Sequence, residues 1–501
     1  MRRPGTVPKP MQRLAGLDAA FLYMETPSAH MHVTGTIVLD PSSTPGGYDT
    51  SRLIGHVVGR FSTMSLFRKR IVEIPLGLGH PLVVEEAQPD PAKHVHRIGA
   101  PAPGSARELA GVVGHIAGRP LDRRRPLWEL WVIEGLENGH VALVTKIHHA
   151  LMDGVSGAEI MARLFDLEAA APDDDGEIQA DAGEPLPSPM ELLTSAVSAM
   201  AVQPLRLART VLETGRSLLP IIGGSLDEGD DDGRPAALPF TAPRTTFTSA
   251  ISADRRVAFG KASLEDIKTI KVAFSATVND VVLAACAGAL RRYLIDRKEL
   301  PNKPLVATCP VSTDAAKGRT GQHNHVSAMF VGLPVNVPDP VIRLMHIARS
   351  SKKAKKLSSA VGDKMLTDWA QLTPGGLLTQ AARLFSSMRL ADRIPPVHNL
   401  VISNVPGPPI PLFAGGARVL AAYPLGPVFD GAAVNITVLS YQGSVDLGVI
   451  ACPDAVPDPW QIAEGFALAI AELKTLADLE MQGPERVGRE SRAGHADNVA
   501  R

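Results

Sequence analysis

Two adjacent histidines, His148 and His149, are followed by Asp153 and Gly154 in the frame His-His-x-x-x-Asp-Gly. A neutral imidazole can take a proton from an alcohol as that alcohol attacks an acyl carbon. The frame therefore predicts a general base, which we assign to His149. Asp153 has two possible roles: it can orient His149 as the third member of a triad does, or brace the turn that follows.

The residues before the pair predict the elements that hold it. Residues 141–149 form an apolar run in which alternate side chains point to opposite faces of a strand, so His149 is expected on one face and His148 on the other. Only one of the two can then reach a given target. Glu137-Asn138-Gly139 predicts a hairpin turn before this strand, and Ser156 begins a helix with a capping-box pattern.

Two other chemistries fit the residues less well. No G-x-S-x-G sequence is present, so a serine acyl-enzyme is not expected and direct transfer in a ternary complex is favoured. Metal-binding histidines on a strand occupy alternate positions, so the adjacent pair with Asp153 predicts no metal site.

The composition limits the possible classes of protein. Of 501 residues, 45% are hydrophobic and 21% charged, which indicates a globular protein, and a net charge of -1 argues against nucleic-acid binding. Three separated cysteines without a C-x-x-C pair fit a reducing cytoplasm and argue against disulfides or a zinc site.

The N-terminus does not have the pattern of a secretory signal, and no run of about 18 apolar residues predicts a membrane span. Any membrane contact would be peripheral.

The order of predicted elements indicates two α/β halves. We place one in residues 1–170 and the other in 241–481, with a polar tail in 482–501. Residues 171–240 form a crossover with acidic runs at both ends around an apolar, weakly helical stretch. That stretch is either a helix packed on the body or an amphipathic segment lying on a lipid surface. The arginines at 123–125 are either a solvated loop or a phosphate contact.

Beyond these residue-level features, several segments along nearly the whole chain resemble the bacterial wax ester synthase/diacylglycerol acyltransferase family, within the superfamily of chloramphenicol acetyltransferase-like, CoA-dependent acyltransferases. The segments are LAGLDAAFLYMETPSAHMHV (Leu14–Val33), RPLWELWVIEGL (Arg125–Leu136), HHALMDG (His148–Gly154), TVNDVVLAACAGALRRYL (Thr277–Leu294), VSAMFVGLPV (Val326–Val335), ISNVPGP (Ile402–Pro408) and NITVLSYQG (Asn435–Gly443). The HHxxxDG frame alone reaches the superfamily, and its combination with the PLW, ND and SNVPGP segments narrows the resemblance to the family.

The resemblance implies a fold and a reaction. It implies an α/β fold of two chloramphenicol acetyltransferase-like lobes with mixed sheets and a central tunnel. The donor would be acyl-CoA, used as a co-substrate with no further cofactor, and the acceptor diacylglycerol or a fatty alcohol. His149 would be the base, and Asn279 would help the acyl site, for example by bonding the developing oxyanion. The alternative for the Asn279-Asp280 pair is simple capping of the helix that begins there.

We therefore predict a lipid-biosynthetic diacylglycerol O-acyltransferase that makes triacylglycerol in the cytoplasm, peripheral to the inner membrane or to lipid inclusions. His148, His149, Asp153, Gly154 and Asn279 are its candidate site residues; the residues that bind acyl-CoA are not predicted. One alternative is a wax ester synthase that uses long-chain alcohols. Another is a weakly active lipid-binding or lipid-droplet protein, because Asp314 stands where relatives tend to carry an arginine and Arg319 is displaced.

Overall fold

The computed structural model describes residues 12–77, 79–87, 89–152, 157–169, 183–188, 190–192, 194, 237–312, 326–361 and 375–496. Most of the predicted crossover therefore lies outside the described residues, and so do Asp153, Gly154, Asp314 and Arg319.

The described chain contains strands and helices in mixed order. The strands are β1 (Gln12–Arg13), β2 (His32–Asp40), β3 (Lys69–Val72), β4 (Leu82–Glu85), β5 (Val95–Gly99), β6 (Trp128–Glu134), β7 (Val141–His148), β8 (Arg256–Ser263), β9 (Leu305–Ser312), β10 (Val326–Leu333), β11 (Leu400–Val405), β12 (Phe413–Ala414), β13 (Ala417–Leu425), β14 (Val434–Tyr441) and β15 (Ser444–Ala451). The helices are α1 (Gly16–Tyr23), α2 (Thr50–Thr63), α3 (Ala106–Ala117), α4 (Gly157–Leu164), α5 (Leu264–Ala273), α6 (Val278–Asp296), α7 (Pro340–Val361), α8 (Gly375–Ser387) and α9 (Trp460–Ala496).

The first large sheet surrounds the strand that carries the histidine pair. Its order is β12-β13-β2-β7-β6-β5, with β7 antiparallel to both β2 and β6. The β6–β7 hairpin predicted from Glu137-Asn138-Gly139 is confirmed, and Asn138 takes a positive φ of 59° there. Every residue of β7 is buried, so the strand is fixed on both faces by packing.

The second large sheet has the order β10-β9-β11-β14-β15-β8. It is mixed, because β11 runs parallel to β9 and β14 while the other neighbours are antiparallel. Helix α6 is buried throughout residues 280–290 and packs on α9, α7 and the sheet. A third, small sheet has the order β1-β4-β3.

The two large sheets are connected by one strand, which belongs to the second half of the sequence but pairs within the first sheet. β13 lies within residues 241–481, yet it pairs with β2 in the first sheet. The buried Asp446 of β15 accepts a hydrogen bond from the backbone N–H of Ala422 in β13, at 2.9 Å. The sequence did not predict this crossing. The proposed domain boundaries remain a prediction, and residues 482–496 of the predicted tail continue helix α9.

Within the described ranges, no single helix is long and apolar enough to cross a membrane. The pair α5 and α6 meets that criterion together by length and composition, with a bend of 103° between them.

Candidate active site

The histidine pair lies where β7 changes into a turn. The strand ends at His148, and His149 begins a short 3-10 turn through Leu151. The turn is capped by the side chain of His148, whose Nδ1 accepts a hydrogen bond from the backbone N–H of Ala150 at 3.0 Å. The strand therefore ends one residue before the end of the predicted run 141–149, because His148 uses its own side chain to cap the turn. The placement of the two histidine rings on opposite faces stays a prediction.

His149 is held in an apolar environment. Its backbone N–H donates to the carbonyl of Met31 at 2.9 Å, and the ring of Phe21 stacks on its ring with centroids 3.9 Å apart. Nδ1 of His149 is buried and has no hydrogen-bond partner. Burial lowers the pKa of His149 from 6.5 to about 4. The imidazole is therefore neutral at physiological pH, which is the form that can accept a proton.

His148 has a different environment. It is 1% exposed, and because Nδ1 is an acceptor, the neutral ring carries its proton on Nε2. Nε2 lies 3.5 Å from Oε2 of Glu25. Burial lowers the pKa of His148, and the carboxylate of Glu25 only partly opposes that effect. His148 thus joins the end of the strand to a carboxylate near the end of α1.

Glu25 is held in turn by Arg123. Nε and Nη2 of Arg123 both donate to Oε2 of Glu25, the first at 3.0 Å, and Nη2 also donates to the carbonyl of Leu22. Burial would raise the pKa of Glu25, but the hydrogen bond with His148 and the charge of Arg123 lower it below its usual value. The other carboxylate that contacts Arg123 belongs to Glu73. Arg123 therefore binds carboxylates although its side chain is 36% exposed, whereas the side chain of the adjacent Arg124 is 84% exposed, as a solvated loop predicts.

Two further histidines lie near His148 and His149: His32 is the first residue of β2, and His30 lies just before that strand. His32 is opposite His148 in the strand register, their ring centroids are 5.7 Å apart, and both ring nitrogens of His32 are buried without a hydrogen-bond partner. His30 bonds through Nε2 to the carbonyl of Gly118 at 3.1 Å. Burial lowers the pKa of both side chains, so the first sheet presents neutral imidazoles beside His148.

Asn279 lies in the first turn of α6. The helix is capped by Thr277 and Asp280: each side chain accepts a hydrogen bond from the backbone N–H of the other residue. Asn279 takes no part in that capping box, and its Oδ1 accepts from Nδ2 of Asn404 at 3.4 Å. Asn404 belongs to the SNVPGP segment at the end of β11. Capping thus explains Asp280, and the role of Asn279 in the acyl site stays a prediction.

The structure places the candidate residues in two lobes. His148 ends β7 of the first sheet, His149 begins the turn after it, and Asn279 lies at the start of a helix packed on the second sheet. Sequence reasoning missed Phe21, Glu25 and Asn404, although all three lie in segments that carry the family resemblance. Among the residues with a described structure, no group of three or more His, Cys, Asp or Glu could hold a metal ion.

Comparison with known families gives a match along most of the chain. The catalytic-domain model of the wax ester synthase/diacylglycerol acyltransferase family matches residues 14–282, and the C-terminal-domain model matches residues 322–474. The chain belongs to this family. It is therefore an acyltransferase of the wax ester synthase/diacylglycerol acyltransferase family, as its motifs predicted.

Curated relatives in this family cover nearly the same length. A putative diacylglycerol O-acyltransferase of Mycobacterium tuberculosis is 39% identical over 474 residues, which are 94% of this chain and 92% of the relative. A probable diacylglycerol O-acyltransferase of the same species is 35% identical over 440 residues, 88% of this chain and 94% of the relative.

Solved structures confirm the predicted fold class. The wax ester synthase/diacylglycerol acyltransferase of Marinobacter aquaeolei VT8 aligns with a TM-score of 0.65 and 27% identity, over 93% of this chain and all of that one. A condensation domain of the calcium-dependent antibiotic synthetase aligns with a TM-score of 0.53 at 14% identity, over 94% of this chain and 97% of that one. The second likeness concerns the fold alone. The mixed α/β fold with two large sheets is thus the one expected for a family member.

Proposed function

We propose that this chain is a diacylglycerol O-acyltransferase that makes triacylglycerol from acyl-CoA and diacylglycerol, with His149 as the general base. The observation that carries the proposal is the neutral, rigidly held imidazole of His149 at the end of β7. The names of the mycobacterial relatives support diacylglycerol as the acceptor.

The proposed transfer takes place in one ternary complex. Because Nδ1 of His149 is buried, Nε2 takes the proton of the acceptor hydroxyl while its oxygen attacks the thioester carbonyl carbon. The tetrahedral intermediate collapses, the carbon–sulfur bond breaks, and the leaving thiolate of CoA receives the proton from His149. The side-chain amide of Asn279 is our candidate donor to the oxyanion.

A radiolabelled acyl-CoA assay with competing acceptors tests the proposal. Purified protein is given palmitoyl-CoA with equimolar dioleoylglycerol and hexadecanol, and the two ester products are separated and counted. A predominance of triacylglycerol supports our proposal. A predominance of wax ester favours a long-chain alcohol as the acceptor. The name of the Marinobacter relative includes both activities. Binding of acyl-CoA without either product would favour the weakly active lipid-binding alternative.

We further propose that the protein works at a lipid surface, since its acceptor is water-insoluble. Helix α8 and the residue just after it expose apolar side chains at one helical spacing, Leu377, Leu384 and Met388, which are 65%, 56% and 46% exposed. Arg383 and Arg389 are exposed beside them and suit an anionic headgroup layer. α8 packs against α1, the helix that carries Phe21.

Flotation with phosphatidylglycerol vesicles tests this lipid surface. Leu384→Asp should reduce the fraction of protein that floats, because it places a charge in the apolar stripe. Leu468→Asp is the matched control, since Leu468 is also 56% exposed but lies on α9. Equal flotation of both variants and of the unaltered protein would argue against α8 as the contact.

A further inference from the structure

We propose that Glu25 is a positioning residue for the acyl transfer, acting through His148 and Arg123 to fix His149 and the helix that covers it. The proposal rests on the function of His149 proposed above and adds a residue that the HHxxxDG frame does not contain. Glu25 is separated from His148 by 123 positions in the chain, and the fold alone brings the two together.

The hydrogen bonding of His148 fixes the position of its ring proton. Its Nδ1 accepts the N–H of Ala150, and this bond begins the turn that carries His149. The bond requires Nδ1 to be unprotonated, so the proton must stay on Nε2. A carboxylate 3.5 Å from Nε2 stabilises that tautomer. Glu25 thereby stabilises the ring state on which the cap of the turn depends.

Glu25 is also bound by Arg123. Arg123 donates two N–H groups to the carboxylate and one to the carbonyl of Leu22, the residue after Phe21. The same guanidinium therefore fixes the carboxylate and the end of α1. Phe21 stacks on the ring of His149, so Glu25 and Arg123 connect the cover of the base to the strand end beneath it.

A carboxylate fits the position of the Glu25 side chain better than a neutral group would. The side chain of Glu25 is 12% exposed, and its neighbours present donors: the guanidinium of Arg123 and Nε2–H of His148. The carboxylate accepts from Arg123, and its negative charge lies 3.5 Å from Nε2 of His148. In the variant Glu25→Gln, the side-chain amide would have to direct its NH₂ group toward one of the two donors and lose that contact.

A set of three variants tests the proposal in the full-length enzyme. Glu25→Gln should lower kcat about ten- to hundredfold and leave the KM for acyl-CoA unchanged, because a misplaced base slows the chemical step. His148→Asn retains an acceptor for the N–H of Ala150 but removes Nε2, and should lower kcat similarly. The double variant should be no slower than the more affected single variant, since both changes break one connection.

Glu73→Gln is the matched control. Glu73 also contacts Arg123, but its side chain is 64% exposed. This variant should retain kcat within a few-fold. Thermal unfolding of each variant identifies any that fail to fold, and Glu25→Asp, which keeps the charge, then replaces Glu25→Gln in the series.

The outcomes separate this inference from the proposed function. If the unaltered protein transfers no acyl group, or if His149→Ala is fully active, the proposed function fails. If the unaltered protein is active and His149→Ala is inactive, but Glu25→Gln matches Glu73→Gln in kcat, then Glu25 is no positioning residue. Fully multiplicative losses in the double variant would also overturn the connection through His148.

Discussion

The ring of Phe21 lies on the ring of His149, with 3.9 Å between centroids and 17° between planes. The contact joins helix α1 to the turn after β7, two elements that are far apart in the chain. It covers one face of the imidazole and keeps water from it, and burial of this kind lowers the pKa of His149 to about 4. The base is therefore available over the whole neutral pH range.

Replacing His149 by alanine should lower kcat at least 10²–10⁴-fold, since a positioned base typically contributes about that much. Folding should be retained, because the backbone N–H of residue 149 still bonds to Met31. His140→Ala, at the other end of β7, is the control and should stay active. Acyl transfer from labelled palmitoyl-CoA measures both variants, and full activity of His149→Ala would exclude this residue as the base.

Replacing Phe21 by alanine should raise the pKa of His149 toward 6.5, because water then reaches the ring. A larger fraction of the base is protonated at each pH, so the acidic limb of kcat/KM should move to higher pH. The measurement is a pH–rate profile from about pH 4 to 8. Phe21→Leu retains an apolar cover and should give an intermediate shift. An unchanged acidic limb in Phe21→Ala would show that Phe21 does not control the titration of His149.

The stability of the protein should depend on His398. Both of its ring nitrogens are buried without a partner, its ring lies between those of Phe330 and Phe429, and burial lowers its pKa to about 4. The unfolded chain binds a proton near pH 6.5 and the folded chain only near pH 4, so stability is present above 6.5 and lost as the pH falls between these values.

His398→Phe removes this titration, and its Tm should fall less than that of the unaltered protein between about pH 7.5 and pH 5. At pH 5 the gain is about 2 kcal/mol, because that pH lies about 1.5 units below 6.5 and each unit corresponds to about 1.4 kcal/mol. Calorimetry at several pH values measures the difference. Parallel Tm curves for the two proteins would show that His398 is not a source of acid sensitivity.

The sequence predicted the local features of the site and most of the fold. The β6–β7 hairpin and the start of α6 both follow from short-range patterns: a turn with Asn138 at positive φ, and capping residues at the helix start beside Asn279. The apolar run of β7 also predicted a strand correctly. All residues of this strand are buried, since neighbouring strands flank it and both of its faces are covered.

Contacts between distant positions could not be predicted in the same way. The apolar run alone could not give the residue at which β7 ends, because the turn depends on a side-chain bond made by His148. The pairing of β13 with β2 and the contact of Glu25 with His148 join residues that are far apart in the chain, and no periodicity within either segment reports its partner. The role of Arg123 was left open for the same reason, since both of its carboxylate partners lie far away in the chain.

Variants of Asn279 and Thr277 can distinguish an oxyanion donor from a helix cap. The capping box at this helix start is formed by Thr277 and Asp280, without Asn279. Asn279→Ala should lower kcat about 10²–10³-fold with little change in stability, as expected when one donor to an oxyanion is removed. Thr277→Ala should instead cost roughly 0.5–2 kcal/mol of stability and leave kcat within a few-fold. Asn404→Ala should have an intermediate effect on kcat, since Nδ2 of Asn404 holds Oδ1 of Asn279. Steady-state kinetics and denaturant unfolding of the three variants test this, and equal losses of kcat in Thr277→Ala and Asn279→Ala would reduce Asn279 to a part of the helix start.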